Sequence, residues 1–221
     1  MNTVDFSWPS PDPKDELGLV GLDYNLSPER LISAYRRGIF PWPDSGLFSP
    51  IPWVCPPRRA ILEFSELHVS RNLRRSLRNF ANAHFTVDRD FGSVICACAA
   101  APRPGQNGTW ITPAMIAAYA ELHRRGHAHS VEMWEGESLI AGLYGVTAGG
   151  IFTGESMFHR VNDGSKICVL RLISHLAGRG ATWIDIQQLT PHFKLMGARE
   201  IKREDFLRRL QAEQRADRAL F

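Results

Sequence analysis

The stretch between residues 130 and 158 constrains the fold more than any other part of the chain. Ser130-Val131-Glu132-Met133-Trp134 alternates apolar and polar side chains and runs into the turn Glu135-Gly136-Glu137. Leu139 to Val146 reads as the next strand, Ala148-Gly149-Gly150 as a second turn, and Ile151 to Phe158 as the return strand. This is an antiparallel three-strand meander. A helix at about 164–177 comes next, and then Ala181-Thr182-Trp183-Ile184-Asp185-Ile186-Gln187, which reads as a buried strand. Residues 110–221 therefore predict an α+β arrangement: a helix, a meander, a helix, a strand and further helices packed on a central sheet.

Helix boundaries carry their own grammar. Ser27-Pro28, Thr112-Pro113 and Thr190-Pro191 each place a hydroxyl N-cap before a proline, and Gly38, Gly126 and Gly197 follow the last periodic residues. They predict helices at about 28–37, 113–125 and 191–196, with others at 69–80 and 203–218. The proline-rich stretch from Pro41 to Pro57 is the expected seam between a small N-terminal domain, 1–60, and a larger one, 61–221. Met1 to Leu17 is acidic and proline-rich and does not read as a signal peptide. The longest uncharged stretch, Ser138 to Gly154, contains five glycines and fits strands better than a membrane span. Cys55, Cys96, Cys98 and Cys168 form no C-x-x-C pair and read as reduced thiols, so a cytoplasmic protein without a membrane segment is expected.

Candidate chemistry starts at Asp185 and Gln187. On a regular strand Trp183, Asp185 and Gln187 share one face, while Ile184 and Ile186 share the other. A carboxylate there is costly to bury unless it is paired or working. It is either held by an arginine or by backbone amides, or aimed with Gln187 at a polar substrate group. Glu155, in Thr153-Gly154-Glu155-Ser156-Met157-Phe158, sits among apolar neighbours on the third meander strand. With Asp185 it could form an acidic pocket for a cationic ligand or an acid–base pair.

The formal charge is only +3, from 26 Lys and Arg against 23 Asp and Glu, yet arginine dominates the basic set. Arg71, Arg74, Arg75 and Arg78 fall on one helical stripe, which is either a solvated face or a grip for phosphates, and Arg36, Arg37, Arg58 and Arg59 add to the second possibility. Trp42, Trp53 and Trp110 fall in loops or at element starts, where they either pack a seam or stack an unpaired base, a contact worth on the order of 1–3 kcal/mol. Ser156 lacks the G-x-S-x-G elbow, the histidines show no triad or zinc spacing, and no phosphate loop of the G-x-x-x-x-G-K-[ST] type is present. Catalysis would need a substrate that arrives already activated.

Five blocks, read in order, carry a resemblance: Ala34-Tyr35-Arg36-Arg37-Gly38-Ile39-Phe40-Pro41-Trp42, Gly108-Thr109-Trp110-Ile111-Thr112, Gly126-His127-Ala128-His129-Ser130-Val131-Glu132, Gly154-Glu155-Ser156-Met157-Phe158 and Asp185-Ile186-Gln187. Together they closely resemble the bacterial leucyl/phenylalanyl-tRNA–protein transferases, from about Gly21 to Leu210. The resemblance implies a small N-terminal domain on a C-terminal domain similar to GNAT acyltransferases, with a mostly antiparallel central sheet. It implies transfer of Leu, Phe, and Met as a third candidate, from aminoacyl-tRNA to proteins beginning with Arg or Lys, which marks them for N-degron proteolysis. No cofactor or metal is implied, because the aminoacyl ester is already activated, and the protein is expected to act as a monomer.

By the same resemblance Asp185 orients and polarises Gln187, which lies beside the attacking amine. Glu155 would recognise the incoming Arg or Lys, and Trp42 and Trp110, with Tyr35 nearby, would hold the 3′-terminal adenosine. Leu143, Phe152, Leu172 and Leu176 would form the side-chain pocket, and Arg71, Arg74, Arg75 and Arg78 would grip acceptor-stem phosphates. The chain departs from the family pattern at Trp53-Val54-Cys55-Pro56-Pro57-Arg58-Arg59, where a W-W-S-P-D-P-R-like run is common. It departs again at Thr190, where an Asn is common, and at Leu195-Met196-Gly197-Ala198, where S-L-G-A is common. These motivate an alternative, a tRNA-binding module without transfer. A second alternative, a GNAT-type acetyltransferase using acyl-CoA, rests on the thin match Asn162-Asp163-Gly164-Ser165-Lys166.

Overall fold

A computed structural model describes residues 6–12, 14–43, 50–102, 109–147 and 150–221. The start of the acidic N-terminus, the middle of the proline-rich stretch, Gly108 and the Ala148-Gly149 half of the second predicted turn lie outside the described residues. The chain begins with β1 (Leu19–Asp23), α1 (Pro28–Tyr35), β2 (Phe40–Pro41) and β3 (Ile51–Val54). Next come β4 (Arg58–Glu63), α2 (Arg71–Asn79), β5 (His84–Val87), α3 (Phe91–Ala100) and α4 (Pro113–Arg124). The predicted meander is β6 (Ala128–Glu135), β7 (Ser138–Thr147) and β8 (Phe152–His159), followed by α5 (Gly164–Ala177) and β9 (Trp183–Gln187). The chain closes with α6 (Pro191–Leu195), β10 (Arg199–Lys202) and α7 (Arg203–Ala216).

These elements make a mixed α and β fold with antiparallel-dominated sheets. A small sheet has the order β1-β3-β2, and a large one the order β10-β4-β9-β8-β7-β6-β5. The proline-rich segment, read as a seam, thus contributes β2 and β3, and Trp53 lies fully buried on β3 instead of in a loop. Every pairing in the large sheet is antiparallel except β8–β9, the two strands joined by the α5 crossover.

The caps behave as their chemistry dictates, with one exception. Ser27 and Thr112 accept from the backbone N–H three residues on, and Gly38, Gly126 and Gly197 take positive φ, the conformation glycine permits at a helix end. Thr190 does not cap α6; its hydroxyl lies 3.2 Å from His192 Nδ1. Helix α3, Phe-Gly-Ser-Val-Ile-Cys-Ala-Cys-Ala-Ala, packs on β7, β8 and α4 and has no strongly polar face to betray a period.

Both faces of the large sheet are covered. Alternate residues of β7 show this directly: Tyr144 joins the core built with α1, α3, α4 and the small sheet, whereas Leu143 joins the core built with α2, α5 and α6. A third cluster, with Trp183, Ile201 and Phe206, seats α7. Among the described residues no helix is long and apolar enough to cross a membrane.

Two irregularities distort the middle of the large sheet. Tyr144 pairs with Ser156 but Gly145 with Gly154, so Glu155 is the extra residue of a β-bulge on β8. Ala60 pairs with Gln187 but Ile61 with Asp185, so Ile186 is the extra residue on β9. Gly145 is needed at the first bulge, because a Cβ there would overlap the Thr153 carbonyl oxygen and the Phe152 ring. Gly145→Ala should therefore destabilise the fold by about 1–3 kcal/mol. Gly21→Ala, with open space at the Cβ position, should change stability by less than about 0.5 kcal/mol. Urea unfolding of the two variants tests this, and equal effects would contradict it.

Candidate active site

The deepest polar group on β9 is Asp185, which is 0% exposed. It meets Arg59 of β4, itself 2% exposed, through two bonds: Arg59 Nε donates to Oδ1 at 2.8 Å and Nη2 to Oδ2 at 2.6 Å. The remaining acceptor capacity is filled by the Thr153 hydroxyl of β8 at 3.1 Å and the Gln187 backbone N–H at 2.9 Å. Arg59 Nη1 donates to the Gly38 carbonyl at 3.1 Å, and the guanidinium lies between the rings of Phe40 and Phe206. Burial pulls the Arg59 pKa down, but the Asp185 charge and hydrogen bonds outweigh it and the net movement is up. Each oxygen of the Asp185 carboxylate thus has two donors, the condition under which a buried ion pair is tolerated.

Gln187 sits at the end of β9 with φ +60, and its backbone N–H folds back onto the Asp185 carboxylate. The bulge at Ile186 and this left-handed residue break the period of two. Gln187 consequently lines a cavity together with Ile184 and Ile186 and not with Asp185, which overturns the expected facing of this strand. The contact expected between Asp185 and the Gln187 side chain is made to the Gln187 main chain. The Gln187 amide instead donates to Glu155 Oε1 at 2.7 Å.

Glu155 is partly buried at the β8 bulge, and its other partners come from two helices. Tyr35 of α1 donates to Oε1 at 2.8 Å, and Tyr119 of α4 to Oε2 at 3.2 Å. Burial is the largest influence on this carboxyl and raises its pKa; the two tyrosine hydroxyls oppose the rise, and the value stands at about 7. A carboxyl poised there changes charge in the range where amines do chemistry.

The cavity measures about 680 Å³ and lies where β8 and β9, registered only at Thr153 and Asp185, part from one another. This is the place where open sheets bind ligands, beyond the carboxyl end of a parallel strand. Leu143, Phe152 and Leu172 give it an apolar side, joined by Val169, Ile184 and Ile186. Trp42 and Trp110 stand on its wall, as does Glu155. Leu176 does not reach it, being fully buried in the core behind α5. Tyr35 and Asp185 act from behind the wall and do not line it.

Arg71, Arg74, Arg75 and Arg78 are all exposed on α2, outside the cavity wall. Ser76 ties that helix to the start of α5 by a 2.8 Å bond to Asp163. Arg59, counted in the sequence with a basic face, is instead the buried partner of Asp185. The other functional side chain missed in the sequence is Tyr119, which looks like one more apolar-face residue of α4. Among the described residues no group of three or more His, Cys, Asp or Glu side chains could hold a metal.

Comparisons with known proteins concern the chain as a whole. The leucyl/phenylalanyl-tRNA protein transferase family matches residues 61–211, and the N-terminal domain of the same family matches residues 24–57. The leucyl/phenylalanyl-tRNA–protein transferase of Anaeromyxobacter sp. (strain Fw109-5) is 50% identical over 204 residues, covering 92% of this chain and 86% of the relative. Those of Pseudomonas syringae pv. syringae (strain B728a) and Solidesulfovibrio magneticus are 48% and 47% identical, each over 93% of this chain and over 88% and 82% of the relative, respectively.

The buried pair generates a direct test. Arg59→Met or Asp185→Ala, each leaving one charge buried alone, should cost about 3–5 kcal/mol of stability. The double variant should cost less than the sum by on the order of 1–3 kcal/mol. A double-mutant cycle by urea unfolding measures this, and additive effects would contradict the coupling.

Proposed function

The chain belongs to the leucyl/phenylalanyl-tRNA–protein transferase family and is an aminoacyltransferase. From that premise we propose that it moves leucine, phenylalanine or methionine from aminoacyl-tRNA to the α-amine of proteins beginning with Arg or Lys, marking them for N-degron proteolysis. One observation carries the reading: a single cavity presents two tryptophans, an apolar side and the Glu155–Gln187 pair. Those are the parts that a terminal adenosine, an apolar aminoacyl side chain and a basic acceptor would each require.

In this reading the adenine stacks on Trp42 and Trp110, and the side chain enters between Leu143, Phe152 and Leu172. An apolar pocket of this kind rejects charged side chains strongly but separates similar apolar ones by only about 1–3 kcal/mol. The acceptor's cationic side chain meets Glu155, the acidic side chain among the described residues on the wall. The Gln187 amide N–H is committed to Glu155, so its carbonyl oxygen is left to accept a hydrogen bond from the attacking amine. That is a positioning role, since an amide is a poor base. The neutral amine attacks the ester carbonyl, a C–N bond forms, the C–O bond to the ribose breaks, and one proton passes from nitrogen to the ribose oxygen. Catalysis is then mostly alignment of an activated ester with its nucleophile.

The parallel β8–α5–β9 unit with strands parting at the cavity supports a GNAT-like reading of the larger domain. The exposed arginines of α2 supply a sequence-independent grip on acceptor-stem phosphates, which should weaken as salt rises.

Transfer of labelled leucine from Leu-tRNA to peptides beginning with Arg, Lys or Asp tests the proposal. Label is expected on the Arg and Lys peptides. Label on the Asp peptide would overturn the role given to Glu155. Label on none, with tRNA still bound, would favour a binding module.

A further inference from the structure

Behind the cavity wall three oxygens close a ring. Tyr35 Oη lies 2.5 Å from Tyr119 Oη and 2.8 Å from Glu155 Oε1, and Tyr119 Oη lies 3.2 Å from Glu155 Oε2. Each tyrosine has one proton to donate. If Glu155 is a carboxylate, the ring holds two protons for three contacts, so one contact always brings two oxygens together with no hydrogen between them. Where both hydroxyls point at Glu155 it is the 2.5 Å Tyr35–Tyr119 contact, closer than the usual O–H···O separation of about 2.7–2.8 Å. One more proton removes the conflict. Glu155 then donates to Tyr119, Tyr119 to Tyr35, and Tyr35 back to Glu155, so every contact in the ring has its hydrogen. Gln187 Nε2 adds a donor to Oε1 in either state.

The surroundings favour the neutral ring. Burial dominates at Glu155, the two hydroxyls oppose it, Asp185 on β9 adds to the upward push and Arg59 on β4 opposes. Both tyrosines are held well above the usual phenol range, first by burial and then by Glu155, so neither gives up its own proton near neutrality. Tyr144 of β7, whose ring packs edge-on against Tyr119, is a further titratable neighbour and adds to that push at Tyr119.

We propose that Tyr35, Tyr119 and Glu155 share one extra proton in the resting protein, and that a cationic N-terminal residue entering the cavity expels it to solvent and thereby locks Gln187 for the attacking amine. An opposite charge beside a carboxyl favours its ionised form. The carboxylate so formed holds the Gln187 N–H by a charge-assisted bond, roughly twice as strong as a neutral one. A neutral or acidic N-terminal residue leaves the proton in place and the amide loosely held. Acceptor charge thus acts on alignment as well as on binding. Neither tyrosine lines the cavity, so both are positioning residues. The inference rests on the acceptor reading given above.

Infrared difference spectroscopy of the unliganded protein across pH tests it without reference to activity. The carbonyl band of a protonated carboxylic acid should disappear with a midpoint near 7, and that band should be missing in Glu155→Gln. Tyr119→Phe and, independently, Tyr35→Phe each break the ring and relieve the oxygen–oxygen contact that penalises the carboxylate, so each should move the midpoint downward. An upward movement, as expected of simple donors to a carboxylate, would overturn the shared proton. Near neutral pH, a peptide beginning with Arg should abolish the band, and one beginning with Asp should leave it. A midpoint in the ordinary glutamate range, about 4.3, or a band indifferent to the Arg peptide, would overturn the proposal. Leucine transfer measured on the same preparation separates the two readings. Transfer without the band defeats the shared proton alone, and the band without transfer defeats the enzymatic reading alone.

Discussion

The Arg59–Asp185 ion pair is the constraint on which the rest of the site depends. Through its hydrogen bonds it joins β4, β9, β8 and the turn after α1, four pieces of chain far apart in sequence. Two charges out of water are costly, and their mutual attraction offsets that cost only when every other hydrogen-bonding position is also filled. Asp185 meets the condition with Arg59, Thr153 and the Gln187 main chain. The result is an anchor that faces inward and lends Gln187 a backbone conformation it would otherwise avoid.

From that anchor the geometry of the cavity follows. Two bulges, at Glu155 and at Ile186, lie on neighbouring strands that pair at a single position. A bulge turns a side chain off its regular face and adds twist, so the strands part beyond Thr153 and Asp185 and their displaced side chains converge on the gap. Glu155 and Gln187, each two residues beyond that pairing, meet there with Gln187 turned away from the side on which Asp185 is held. Arg59 and Phe40 link this arrangement to the small sheet, which also supplies Trp42 to the wall. The small sheet is thus part of the site as well as part of the core.

Much of this was legible in the sequence. The meander, α5 and β9 stand within a residue or two of their predicted bounds, because long apolar alternation and helix periodicity reflect burial directly. Strands β1, β4, β5 and β10 are short and carry charges or edge residues, and α3 lacks a polar face, so none announces itself by period. Asp185, Gln187 and Glu155 could be singled out because a carboxylate or amide among apolar strand neighbours needs an explanation. What the sequence hid is which side each one faces. Strict alternation predicts Asp185 and Gln187 together on one face, and a one-residue bulge reverses that. Arg59 was hidden for a related reason: one arginine among many looks like surface until a buried acid is found opposite it. Tyr119 gave no signal at all, since an apolar helix face accepts a tyrosine whether or not its hydroxyl is used.

The central claim is that Asp185 builds the site from behind while Gln187 and Glu155 meet the acceptor. A crystal structure with a non-hydrolysable leucyl-adenosine amide and a dipeptide beginning with Arg tests this most directly. The account predicts that the Gln187 side-chain oxygen accepts from the dipeptide amine, with the cationic side chain beside Glu155 and both Arg59–Asp185 bonds intact. An Asp185 carboxylate released from Arg59 and bonded to the amine would contradict it.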